Sequence, residues 1–111
     1  MTFQRIGESR VVKHMLSNWL YYEQNISELP EESLRNFKLL YTALSQLSPE
    51  ERLFLGEKYH TDKSKRLNDQ QLADKRGLTI KEYRQQRIAI EKKIAPYLLE
   101  QTEANIQLMM G

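Results

Sequence analysis

Two helix-start signals stand almost back to back in the second half of the chain, with a glycine between them. Asn68 is followed three residues on by Gln71, and Thr79 three residues on by Glu82. In each pair the first side chain can accept a hydrogen bond from an amide of the opening turn, while the second reaches back to the amide of the first. Gly77 lies just before the second cap and is the residue best suited to the left-handed backbone that ends a helix. The spacing predicts a short helix over about 69–76, a tight turn, and a new helix from Thr79 at a large angle to the last. Ala73 supplies a small residue where the two would cross, and Leu72, Leu78 and Tyr83 supply apolar anchors to hold the corner.

The rest of the chain reads as helices placed around this corner. Val11, Val12, Met15, Leu16, Trp19, Leu20 and Ile26 recur at helical intervals and predict a first helix over 8–26. Leu29-Pro30-Glu31-Glu32 is a helix start, and Leu34, Phe37, Leu40, Tyr41, Leu44 and Leu47 carry that helix to about 47. Ser48-Pro49-Glu50-Glu51 opens a third, with Ser48 as cap, Glu51 as its reciprocal partner and Leu53, Phe54 and Tyr59 as the buried face. Residues 60–67 have no apolar periodicity and read as a basic loop. The helix from Thr79 should bury Ile80, Tyr83, Ile90 and Ile94, and should end or kink near 93–95 because Pro96 lacks a donor. A further, weaker helix is expected over 97–110. No period-two alternation is present, so the fold class is all-α: a small helical domain of about five helices with a C-terminal helix-turn-helix. An N-terminal helical part, 1–47, would serve assembly or partner contact. The part 48–111 would hold the corner and a helical tail.

Composition narrows what such a domain can do. The 111 residues suit one domain. With no cysteine there is no disulfide framework and no thiolate metal site. The absence of an N-terminal apolar leader, and of any apolar run near the 20 or so residues a bilayer needs, leads us to expect a cytoplasmic protein with no membrane contact. The net charge of +2 hides a split: residues 63–93 hold ten Lys/Arg and four Asp/Glu, a local +6, and the remainder is −4. A polyanion partner for the basic part follows, against the plainer reading of a solvated basic surface.

Two short helices joined by a glycine turn, the second rich in Lys, Arg and Gln, describe a helix-turn-helix. With Tyr83 turned inward, the outer face of its second helix is Lys81, Glu82, Arg84 and Gln85, with Ile88 at its edge. These side chains suit the major groove: arginine bonds guanine's two acceptors, glutamine bridges adenine, and an acid accepts from cytosine. Thr79 sits where a phosphate contact is made, and Lys63, Lys65 and Arg66 would add sequence-independent affinity. Arg76 and Gln86 stand where this motif usually carries apolar residues, so either their stems pack at the edge or the register differs.

The stretch from Leu44 to about Ala95 resembles region 4 of sigma factors. It contains Leu-Ser-Gln-Leu-Ser-Pro-Glu-Glu-Arg-Leu-Phe-Leu at its start, Leu-Ala-Asp-Lys-Arg-Gly-Leu-Thr at the corner and Tyr-Arg-Gln-Gln-Arg-Ile-Ala-Ile beyond it. It is more similar still to the ArpU-like regulators of late genes in phages of Gram-positive bacteria, in which a tyrosine early in the recognition helix precedes a basic stretch and then a small or apolar residue; Tyr83, Arg84, Arg87 and Ile90 resemble that pattern. The resemblance covers about half the chain and implies a phage or prophage transcription activator, with Lys81, Arg84 and Gln85 where base or backbone contacts are made. Ile80 departs from sigma factors, where an arginine is frequent.

Other chemistries find little footing. His14 and His60 lie far apart with no carboxylate cluster at ligand spacing, so no metal or cofactor is expected. The serines have no glycine-flanked elbow and no phosphate-binding loop exists, so no enzymatic step is expected. Trp19 is a core residue by default, and Tyr21 and Tyr22, on adjacent helix faces, are candidates for a partner contact. Double-stranded DNA is the expected partner, with RNA polymerase and a second copy of the chain as candidate protein partners. The rival from another class is a helical interaction module, an anti-sigma-like or phage-encoded adaptor whose basic face meets an acidic host protein. A small DNA-packaging subunit is a third reading.

Overall fold

A computed structural model describes the backbone of residues 6–110 and the side chains of residues 9–98. Among the described residues it has six α-helices and no strand, the small all-α domain expected. They are α1 (Ile6–Ser17), α2 (Trp19–Gln24), α3 (Glu31–Leu44), α4 (Pro49–Tyr59), α5 (Asp69–Lys75) and α6 (Ile80–Met110). The last is the axis of the fold, and α1, α3, α4 and α5 all pack against it.

The continuous first helix expected over 8–26 is broken at Asn18, and the cause is local. Asn18 Nδ2 donates to His14 O at 2.9 Å while its own amide is shared between the His14 and Met15 carbonyls. The side chain thus competes with its own amide for the His14 carbonyl and loosens the helical ladder there. Asn25 closes α2 in the same way, its Nδ2 donating to Tyr21 O. Ile26, beyond that cap, begins a 3₁₀ turn through Glu28 and is half exposed rather than buried.

Three other expectations need adjustment. The helix α3 ends at Leu44, not 47: the amides of Gln46 and Leu47 turn back to Ala43 and Leu44 in a tightened last turn that delivers Leu47 into the core. Its Tyr41 is 64% exposed and Ala43 is buried in its stead. On α4 the capping box forms as read, with Glu51 N donating to Ser48 Oγ at 3.2 Å and Ser48 N to Glu51 Oε1 at 3.0 Å. Its buried face is Phe54, Leu55 and Tyr59, and Leu53 is 72% exposed. At 100° per residue Leu53 lies nearly opposite Leu55, so only one of the two can face inward. The loop at 60–67 holds a 3₁₀ turn, Lys63–Lys65, capped by the Asp62 carboxylate on Ser64 N.

Pro96 does not end the last helix, and α6 runs on through it. The ring lies on an exposed side while Ile94, Ala95 and Leu98 are buried in the core. Burying an Ile and a Leu is worth about 1.5–3 kcal/mol each, which offsets the ~3 kcal/mol a mid-helix proline costs. One core spans the chain from Val12 to Leu98, so the parts 1–47 and 48–111 share it. No helix among the described residues is long and apolar enough to cross a membrane.

Candidate nucleic-acid interface

The corner read from the two caps is present in atomic detail. Gln71 N donates to Asn68 Oδ1 at 2.8 Å, and Asn68 N to Gln71 Oε1 at 2.9 Å. Arg76 follows α5 in right-handed backbone, and Gly77 takes φ +69°. Gly77 N then donates to Asp74 O and Leu78 N to Ala73 O, which satisfies the last carbonyls of α5. A Cβ at Gly77 would meet nothing within 4 Å, so glycine is required there by the backbone alone. At the second cap Glu82 N donates to Thr79 Oγ1 at 3.1 Å and Thr79 N to Glu82 Oε1 at 3.0 Å. The Thr79 amide, and after it the Thr79 side chain, hydrogen-bond the carboxylate and hold Glu82 below its ordinary pKa.

Buried anchors fix the angle. Leu72, Ala73 and Tyr83 are wholly buried, and Leu78 packs partly against them. The Tyr83 ring stacks on Phe54 of α4 at 5.3 Å, and the Arg76 guanidinium covers that phenyl at 4.2 Å with its Nε on Glu57. Arg76 therefore packs by its stem and plane, the first of the two alternatives its place left open. Gln86 is exposed, and the inward place next to it goes to Arg87.

Arg87 belongs to a buried ionic cluster that sequence reasoning missed. Its Nη1 donates to Glu91 Oε2 at 2.7 Å, the Tyr59 hydroxyl donates to the same oxygen at 3.0 Å, and Nη2 reaches Asp69 Oδ2 at 3.4 Å. Asp69, the first residue of α5, also pairs with Lys58 Nζ at 2.6 Å and Arg84 Nε at 2.9 Å. Burial would raise the Asp69 carboxyl, but the hydrogen bonds from Lys58 and Arg84 and the nearby cations outweigh it and bring it down to about 2. Burial, with Glu91 beside it, pushes the Tyr59 phenol well above its usual value. The available signal was the stripe itself: Arg87 and Ile94 share one face with Tyr83 and Ile90, and Glu91 stands one turn after Arg87.

The expected interface residues divide accordingly. Lys81, Glu82, Gln85 and Thr79 are exposed, Ile88 is partly so, and Lys63 and Lys65 lie exposed in their 3₁₀ turn. Lys63, Lys65 and Lys81 make no ion pair among the described residues. Arg84 is 53% exposed on its side chain, yet bound through Nε to Asp69. Arg66 corrects the reading made of it. Its Nη2 donates to Ser17 O at 2.6 Å and Tyr59 O at 3.2 Å, closing the end of α1 onto the end of α4 instead of facing solvent. Lys75, Arg76 and Lys93 are likewise spent on Glu57 and Glu51.

The two tyrosines separate as well. Tyr22 is 4% exposed, its ring against Phe37 at 6.2 Å, so it is core and not a partner contact; Tyr21 is 53% exposed. Trp19 packs partly against the core, its indole N–H on Glu23 and its ring 4.6 Å from that of His60. No family model, curated protein or solved structure matches the chain.

Proposed function

We propose that the chain is a sequence-specific DNA-binding transcription regulator of the bacterial or phage-infected cytoplasm. In this reading the first turns of α6 enter the major groove, and Lys63 and Lys65 hold flanking phosphates. The single observation that carries it is the bend at Gly77, which projects a capped, buried-anchored helix with Lys81, Arg84 and Gln85 exposed. The resemblance to ArpU-like regulators and to sigma region 4 adds the particular role of a late-gene activator acting with RNA polymerase. Tyr21 remains the candidate for that protein contact, and a homodimer is compatible with the same face.

The test is binding of the full chain to duplex DNA from the upstream regions of its own genome across a salt series. A log-log decline in affinity is expected, and Lys63→Ala, Lys65→Ala and Lys81→Ala should each flatten the slope by about one. No binding at low salt refutes the proposal. A second reading, the helical adaptor, draws support from the large apolar side chains left exposed, Tyr21, Tyr41 and Leu53. It requires an acidic protein partner and no DNA binding at any salt.

A further inference from the structure

The outer face of α6 is not uniformly charged. Lys81, Gln85, Ile88, Ala89 and Lys92 recur at helical spacing and form one stripe, and Gln85, Ile88, Ala89 and Lys92 line a common shallow groove with Lys93 and Pro96. Ile88 is outside the set of apolar side chains packed on the core, and Ala89 is exposed. An apolar pair, Ile88 partly and Ala89 fully exposed, thus stands in the middle of an outward stripe flanked by lysines. Lys81 to Ala89 covers about 12 Å of helix axis, or roughly three to four base steps.

The arginines, whose fork is best fitted to guanine, stand off this stripe. Arg87 is buried and Arg76 lies over Phe54, while Arg84, half exposed beside the stripe, is held by its Nε on Asp69. Between its lysines the stripe presents a carboxamide and methyl groups. In the major groove a glutamine bridges the adenine acceptor and donor, and apolar carbons meet the thymine methyl.

From this juxtaposition we infer that α6 reads an A·T-rich major groove, Gln85 engaging an adenine edge while Ile88 and Ala89 seat thymine methyl groups and Lys81 faces a flanking phosphate. The inference rests on the DNA-binding reading and goes beyond it by naming the bases.

The experiment is selection by the full chain from a randomised duplex library at low salt, followed by affinity measurements on the enriched duplex with thymines replaced by uracil. An A·T core should emerge. Gln85→Ala should lose roughly 5- to 150-fold of the discrimination at one adenine. Uracil should weaken the parent by roughly fourfold per seated methyl, and in Ile88→Ser/Ala89→Gly that uracil penalty should vanish. Because both sites are on the outer face, loss of the penalty with far-ultraviolet circular dichroism unchanged reports contact and not folding. A core read through guanine, or indifference to uracil, overturns the A·T assignment and leaves DNA binding standing. No enriched sequence and no binding overturns both.

Discussion

Arg87→Met should be one of the most destabilising single changes in the chain, and Arg87→Met/Glu91→Leu should restore most of what it loses. The two side chains are 6% and 1% exposed and 2.7 Å apart. Without Arg87, Glu91 keeps only the Tyr59 hydroxyl among the described residues, and a buried charge stripped of its partner costs about 3–5 kcal/mol. Removing both charges deletes the desolvation penalty along with the pair, a change measured elsewhere as neutral or stabilising by about 1–4 kcal/mol. Against that stands about 1 kcal/mol for the orphaned Tyr59 hydroxyl. Asp69 retains Lys58 and Arg84. Urea unfolding followed by the single tryptophan, Trp19, gives the full cycle. A loss under about 1 kcal/mol for Arg87→Met at pH 7, or a double variant as unstable as the two single losses added, refutes the buried pair.

Three further outcomes are expected. The folded-state value of Asp69, about 2, lies below its ordinary 3.8, so its contribution is complete above about pH 4 and is lost as the pH falls toward 2. Asp69→Asn should cost roughly 2 kcal/mol at pH 7 and nothing near pH 2, and a gap that stays constant over a pH series of urea midpoints refutes this. Tyr83 has a buried hydroxyl without a hydrogen-bond partner among the described residues and a phenol pushed up to about 12 by burial. Tyr83→Phe should therefore be neutral or stabilising by about 1 kcal/mol in the same assay, and a clear destabilisation would reveal a partner. Gly77→Ala should cost about 1–2 kcal/mol through its positive φ alone, with Gly77→Asn milder; equal stability of the alanine variant in thermal unfolding would mean the turn is not left-handed in solution.

The parts of this fold legible in the sequence are those decided within four residues. Ser48 with Glu51, Asn68 with Gln71 and Thr79 with Glu82 each close the reciprocal hydrogen bonds their spacing suggests. Gly77 takes the conformation its place after α5 requires. Asn18 could have been read by the same logic, since its bond to His14 O is also local; the apolar spacing from Val11 to Ile26 masked it. What could not be read depends on partners far along the chain. Arg66 looks like a loop cation until the carbonyls of Ser17 and Tyr59 are beside it. Leu53 and Leu55 are equally apolar, and only the packing of the other helices decides which is covered. At Pro96 the local rule was right about its cost and silent about the burial that outweighs it.

The charge split of the sequence acquires a different meaning in three dimensions, and this bears on how the proposed DNA contact should behave. Asp69 draws Lys58 from α4 and Arg84 and Arg87 from α6 onto the first residue of α5, so much of the basic character of residues 63–93 holds the corner at its angle. An arginine that must leave an internal acid to meet a phosphate uncovers a negative charge as it does so, and its net gain is small. The sequence-independent term should then come chiefly from Lys63, Lys65 and Lys81. At about 0.9 per phosphate neutralised, three contacts give a log-log salt slope near −3, where ten available bases would give about −9. A slope near −3 in the parent, steepened little or not at all by Asp69→Asn, fits lysines acting alone. If that substitution instead steepens the slope by one or two, Arg84 is being released to the phosphates, and the tie to Asp69 restrains binding as well as shaping the fold.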